Sequence, residues 1–223
     1  VSFDLIYGRQ NQSLSSWEAE LTRAISLSSG HLSLYQLTIE PGTAFGYRAS
    51  AGKLTGLPNE DLSADMFEFT DTTCALAGLN SYEVSNFSSE GLESKHNLIY
   101  WMGGDYIGIG PGAHGRITSD NQRLATRTML SPAAWLDTVH LKSSGELTPD
   151  ILSKTDHANE LIMMGLRLKG GISQSRIEAM VGKKFNITTE LTDLGLLDIS
   201  DGFIRATNSG RALLNQVIQK LMF

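Results

Sequence analysis

Cysteine is almost absent from this 223-residue chain: Cys74 stands alone. A single thiol excludes an internal disulfide, and by itself it cannot hold a zinc ion or an iron–sulfur cluster. Between Thr73 and Ala75 in a helical pattern, it reads as a small buried side chain. No apolar run reaches the roughly 18 to 20 residues of a membrane helix. The opening Val1-Ser2-Phe3-Asp4-Leu5 lacks the charged-then-apolar pattern of a signal peptide, so a cytoplasmic location and no integral membrane segment are expected. A basic excess is missing too. Residues 1–145 hold 9 Lys and Arg against 15 Asp and Glu, and residues 146–223 hold 9 against 9. Neither part suits nucleic-acid backbones, so no nucleic-acid partner is expected.

The chain does carry an ordinary globular composition, 41% hydrophobic and 19% charged, long enough for one or two domains. Phe3 to Tyr7 predicts a strand ended by Gly8. A helix capped by Ser15 or Ser16 places Trp17, Leu21, Ala24, Ile25 and Leu27 on one face. His31 to Ile39 alternates as a second strand, and Asn59 or Ser63 opens a helix to Leu79, with Leu76 and Ala77 on its apolar side. Tyr82 to Phe87 predicts a third strand. Strand–helix–strand–helix–strand implies a parallel sheet. Three strands are too few for a closed α/β domain, so the chain is expected to begin part-way through a larger barrel or open sheet.

Past Gly115 the rhythm changes. Arg116 to Asn121 reads as loop, and Pro132 to Leu141 as a short helix capped by Ser131. Helices are expected over 150–168, 173–181 and 187–196, with a break at Gly170-Gly171. Asp201-Gly202 between two short apolar runs signals a hairpin, and Thr207 or Asn208 caps a last helix to Leu221. Three helices, a hairpin and a closing helix describe a winged-helix-like module. Its groove-facing helix would be 187–196, which carries Glu190 and Asp193 and no Arg or Lys, and so favours packing over DNA reading.

Most of the chemistry-bearing residues fall within about twenty positions. Lys95-His96-Asn97-Leu98-Ile99-Tyr100-Trp101 is followed by Tyr106-Ile107-Gly108-Ile109-Gly110-Pro111-Gly112-Ala113-His114-Gly115. Imidazoles, aromatics and bare backbone together suit a flat, conjugated ligand. His96 and His114 are candidate ligands to a metal or a heme; the plain alternative is that they are structural, His96 capping a following strand. Gly108-x-Gly110-x-x-Ala113 superficially fits a dinucleotide fingerprint. It lacks the helix that should follow, and Pro111 has no N–H for phosphate. Close approach to a planar or ribose-bearing ligand fits better. Asp4 sits in an otherwise apolar strand, either as a satisfied structural carboxylate or as a ligand acceptor at the sheet's C-terminal mouth.

Several blocks resemble the HemW and HemN-like family of radical S-adenosylmethionine proteins. Asp4 to Gly8 is similar to its DLIYG strand, His31 to Thr43 to HxSLYxLxxExGT, Tyr82 to Phe87 to YEISNF, and His96 to Trp101 matches HNxxYW. Leu166-Arg167-Leu168 with Gly171-Ile172, then Gly195-Leu196-Leu197, resemble its C-terminal domain. The resemblance implies an α/β fold: the last strands and helices of a partial (β/α) barrel over 1–118, a connecting segment over 119–148, and a helical winged-helix-like domain over 149–223. It implies S-adenosylmethionine and a [4Fe–4S] cluster as cofactors of the longer protein, the cluster cysteines lying upstream of Val1. The present chain is then expected to hold no cluster, metal ligand or catalytic residue, and to be inactive alone.

The same resemblance assigns Asp4, Thr38, Ala113 and His114 to S-adenosylmethionine, and His96, Asn97, Tyr100 and Trp101 to heme. HNxxYW marks the heme-chaperone branch, so the function implied is heme binding and delivery. The partners implied are heme or porphyrin, an apo-haemoprotein recipient and a second copy of the chain. The alternative within the family is an oxygen-independent coproporphyrinogen III oxidase, which needs basic residues for propionates. The alternative outside it is a winged-helix DNA-binding regulator, which the charge distribution disfavours.

Overall fold

The computed structural model describes residues 1–185, 187 and 189–223. Two compact units divide the chain, Val1–Glu93 and Ser94–Phe223.

The first unit opens with β1 (Ser2–Tyr7), α1 (Leu14–Leu27) and β2 (His31–Gln36). β1 and β2 are parallel, with Asp4 opposite Ser33. The cap of α1 is Ser13, whose Oγ accepts from the Ser16 N–H at 3.1 Å, two residues before the expected start. Trp17, Leu21 and Ala24 are buried as expected, whereas Leu27 is exposed. β2 stops at Gln36 and not at Ile39, because its partner ends first. Leu37 N–H still donates to the Tyr7 carbonyl at 2.8 Å, and then Gly8, at φ +73°, turns β1 away. Leu32, Ser33 and Leu34 are all buried, so the alternating pattern marks a strand covered on both faces.

α2 (Ala44–Ser50) and α3 (Glu60–Leu76) follow. Asn59 caps α3, accepting from Leu62 N–H at 2.9 Å. Leu76 is 85% exposed, contrary to the expected apolar face, and the helix ends at it rather than at Leu79. Met66, Thr70 and Cys74 are the positions of α3 that are buried. Trp17 Nε1–H donates to Thr70 Oγ1 at 2.8 Å, and the Thr70 hydroxyl donates on to the Met66 carbonyl. The Trp17 ring stacks on Tyr7 at 4.9 Å between centroids.

The expected third strand over Tyr82–Phe87 is corrected. Two short strands, β3 (Asn80–Ser81) and β4 (Asn86–Ser88), flank a tight turn, and the sheet order is β1-β2-β4-β3. Only β1 and β2 are parallel; β4 runs antiparallel to β2 and to β3. The reason is local competition for hydrogen bonds. Buried Glu83 accepts from Ser85 N–H at 3.2 Å and from the Asn86 amide, and Tyr82 N–H donates to the Asn86 carbonyl. Those bonds curl the segment where the residue types predict extension.

The second unit begins with α4 (Lys95–Trp101), β5 (His114–Ser119), β6 (Gln122–Arg127), α5 (Pro132–Lys142) and β7 (Asp150–Ile151). β5-β6-β7 is an antiparallel sheet. The loop expected over Arg116–Asn121 is therefore mostly strand. Asp120 and Asn121 hold φ of +50° and +60°, the two left-handed residues of a hairpin turn, which short polar side chains tolerate. Ser131 caps α5, with Pro132 in its first turn, as expected.

Beyond them lie α6 (Lys154–Gly165), β8 (Ile172–Ser173), α7 (Gln174–Val181), α8 (Thr189–Asp193), β9 (Leu197–Ser200), β10 (Phe203–Ala206), α9 (Asn208–Ala212) and α10 (Leu214–Leu221). α6 starts at Lys154 after its Ser153 cap, four residues past the expected point, and ends at Gly165 rather than at 168. Of the helix expected over 187–196, Thr188 lies outside the described residues, and the helical part described is α8. The Asp201-Gly202 turn joins β9 to β10 as expected, and β8 adds to make the sheet β8-β10-β9. The closing helix is broken at Leu213 into α9 and α10. Leu161, Leu166, Ile177, Ile204 and Val217 centre the core that joins these helices to that sheet.

Candidate functional site

The HNxxYW segment is α4, so His96 begins a helix and does not cap a strand. Ser94 Oγ caps it, accepting from the Asn97 N–H at 3.3 Å. Helical spacing sets His96 and Tyr100 on one stripe, and Asn97 and Trp101 on the next. The His96 and Tyr100 rings meet edge-on at 4.8 Å between centroids. α4 then ends in a glycine turn: Gly103 N–H donates to the Tyr100 carbonyl and Gly104 N–H to that of Ile99. The turn delivers Tyr106, whose backbone pairs with Arg116 and whose ring lies 4.3 Å from that of Tyr100. His96, Tyr100 and Tyr106 form a continuous ring ladder. His96 is exposed; Asn97, Tyr100 and Trp101 are half-buried.

The glycine-rich stretch serves mainly its own backbone. A Cβ at Gly108 would meet the His114 carbonyl oxygen at 2.4 Å, and one at Gly115 would meet Thr126 Oγ1 at 2.4 Å. Gly110, with nothing near its Cβ position, is the open one. Ala113 N–H donates to Thr128 Oγ1 at 2.9 Å, and His114 is an exposed residue opening β5. Asp4 and Thr38 belong to the first unit, and both are exposed. Asp4 lies on β1, whereas Thr38 lies beyond the end of β2 and its hydroxyl donates to the Gln36 carbonyl at 3.3 Å. Exposure leaves both side chains open to a ligand.

Inside the second unit, a cavity of about 120 Å³ lies against the ladder. Tyr100, Tyr106, Arg116, Arg123, His157, Glu160, Met163 and Met164 are among its lining residues. Arg116 grips Glu160: Nε–H lies 3.0 Å from each carboxylate oxygen, and Nη2–H donates to Oε1 at 2.5 Å. The Arg123 side chain, 5% exposed, donates to Asp105, to Thr118 Oγ1, and to the carbonyls of Gly103 and Gly104. It thereby ties the turn after α4 to the β5–β6 hairpin. The Thr118 N–H, at 2.7 Å, holds the Asp105 carboxylate below the usual range, helped by the Thr118 hydroxyl and Arg123. Burial pushes His157 below its ordinary value, and the Arg123 charge adds to that.

Sequence reasoning missed this second layer. Arg116 was hidden in an expected loop, and Arg123 in a strand that was not expected. His157, Glu160, Leu161 and Met164 did carry a signal, since offsets of three, four and seven mark one helix face. Iron–sulfur ligation does not fit these residues. Burial pushes the Cys74 thiol up to about 12, and no metal-holding group of three His, Cys, Asp or Glu occurs among the described residues.

Comparison with known proteins agrees with this architecture. The HemN C-terminal domain model matches residues 152–213. The chain is 32% identical to the heme chaperone HemW of Bacillus subtilis, over 97% of the chain and 57% of that protein. It is 33% identical to HemW of Escherichia coli, covering 98% and 56%. It is 32% identical to the mitochondrial radical S-adenosyl methionine domain-containing protein 1 of Danio rerio, covering 100% and 52%. The chain thus spans about half the length of the curated relatives it matches. The radical SAM coproporphyrinogen III oxidase HemN of Escherichia coli shares the fold at a TM-score of 0.74 and 17% identity, over 99% of this chain and 54% of that one. These matches support a HemW/HemN-like family for the chain.

Proposed function

We propose that this chain is the heme-binding part of a HemW-like protein that delivers heme to an apo-haemoprotein in the cytoplasm. The observation that carries the reading is the His96–Tyr100–Tyr106 ladder. It offers an exposed imidazole, a common axial ligand to heme iron, beside ring faces on which a porphyrin can stack. Asn97 and Trp101 flank it on the same helix. The names of the relatives support a chaperone over an oxidase. No helix among the described residues is long and apolar enough to cross a membrane.

In the longer protein, Asp4, Thr38, Ala113 and His114 are the proposed contacts to S-adenosylmethionine, with the [4Fe–4S] cluster held by cysteines outside these residues. The corresponding domain reading is a barrel portion over 1–118, a connection over 119–148 and a C-terminal domain over 149–223; the family-model match at 152–213 supports the last. Titration of hemin into the chain and its His96→Ala variant, followed by the Soret band, tests the function. Weaker or spectrally altered binding in the variant is expected. Equal affinity and an equal spectrum would make His96 structural and His114 the next candidate.

A further inference from the structure

We propose that the cavity behind the ring ladder is a carboxylate site, taking one short-chain carboxylate between Arg123 Nε and His157 Nε2. Both nitrogens are buried and have no hydrogen-bond partner among the described residues. Arg123 is the clearer case: its two terminal nitrogens are occupied by Asp105, Thr118, Gly103 and Gly104, and its Nε–H has no acceptor among the described residues. A buried donor without an acceptor costs about 1–3 kcal/mol, which an arriving anion relieves.

The charge balance agrees. Arg116 and Arg123 line the cavity with Glu160, and Asp105 bonds to Arg123. Arg176, whose Nη1–H donates to the Met102 carbonyl at 2.6 Å, also acts on His157. Two guanidiniums therefore line the cavity against one carboxylate; Asp105 bonds to Arg123, and the exposed Arg176 adds its charge from outside the lining. Burial and the charges of Arg123 and Arg176 keep His157 neutral, against the pull of Glu160 and Asp105. A bound carboxylate selects the tautomer with hydrogen on Nε2, or the imidazolium.

Size and lining narrow the ligand. About 120 Å³ falls short of the roughly 300 Å³ at which pockets for whole drug-sized molecules begin, so a porphyrin does not fit inside. Leu161, Met163 and Met164 make the rest of the wall apolar, which suits the hydrocarbon stem of a carboxylic acid better than phosphate or sulfate. Such a group comes either from a free small acid or from the propionate arm of a tetrapyrrole resting on the ladder outside.

The test is an NMR titration of the intact chain with propionate, reading the histidine side chains at constant ionic strength. The expected result is a saturable shift of His157 with none at the exposed His140. His157→Gln should weaken propionate binding, followed calorimetrically, at least tenfold, about 1.4 kcal/mol. Arg123→Lys, which keeps the charge and removes the Nε–H, should do the same, with thermal melting confirming that it folds. A non-saturable shift, a shift shared by His140, or phosphate binding as well as propionate overturns the proposal. Metal-free protoporphyrin IX and its dimethyl ester then separate the sources. Competition by the acid and not by the ester identifies a tetrapyrrole arm, whereas competition by neither, with propionate still bound, identifies a free acid. The Soret titration of hemin is read separately, so failure of the heme reading and failure of the carboxylate site are distinguishable.

Discussion

Tyr100 and Tyr106 meet across the Gly103-Gly104 turn with ring centroids 4.3 Å apart, so the last turn of α4 and the residue paired to β5 present one aromatic surface. Tyr100 is the middle ring of that surface, touching His96 on its other side. Tyr100→Ala is expected to weaken hemin binding at least tenfold, about 1.4 kcal/mol, by removing both ring contacts at once. Soret titration checks it, with Trp135→Phe, whose ring packs beside Gly145, as the control. Unchanged affinity for Tyr100→Ala would remove the ladder from the heme site.

Thr70 is the acceptor for the buried Trp17 indole N–H. Thr70→Val keeps the shape and leaves that donor unpaired, so a loss of about 1–3 kcal/mol is expected. Urea denaturation followed by tryptophan fluorescence should show a lower midpoint with an unchanged slope.

Asp105 carries a depressed carboxylate, first through the Thr118 N–H and then through the Thr118 hydroxyl and Arg123. Its folded value lies below its unfolded one, so its contribution to stability is complete above about pH 4 and is lost as pH falls through the folded value. Asp105→Asn should lower stability at neutral pH and flatten the acid limb of the stability–pH profile. An acid limb identical to wild type would show that the Thr118 and Arg123 contacts do not favour the ionised form.

Cys74 is buried, with its thiol pushed up to about 12. A protonated, shielded thiol is a poor nucleophile and a poor metal ligand. Ellman's reagent should leave the folded chain unmodified and label one thiol after denaturation. Anaerobic reconstitution with iron and sulfide should leave this chain colourless; a stoichiometric [4Fe–4S] spectrum would contradict that expectation.

The C-terminal region, residues 146–223, should not bind duplex DNA. Residues 146–223 hold equal numbers of basic and acidic side chains, and α8 carries Glu190, which lies 3.5 Å from Lys220. Little net positive charge is available for counterion release. Fluorescence anisotropy with a mixed-sequence duplex at low salt should show no binding at micromolar protein. Salt-dependent binding there would revive a regulatory reading.

Local chemistry made several elements legible in the chain itself. Ser131 before Pro132, the Trp17–Leu21–Ala24 stripe and the Asp201-Gly202 turn each specify their structure through contacts a few residues long. The six residues of HNxxYW are legible as a motif, but their helix is not: His96 and Trp101 are neutral formers, and the Ser94 cap and the Gly103-Gly104 stop lie outside the motif.

What the tertiary structure alone decided are the pairings between distant residues. β4 lies antiparallel to β2 because Glu83 and Asn86 curl the chain back, a choice that residue alternation cannot encode. Arg116, Arg123, His157 and Glu160 surround one cavity although they span 45 positions, 116 to 160. Periodicity reports which face of an element is apolar; it carries no information about which buried charges share a cavity, because that depends on how a hairpin and a helix meet in space.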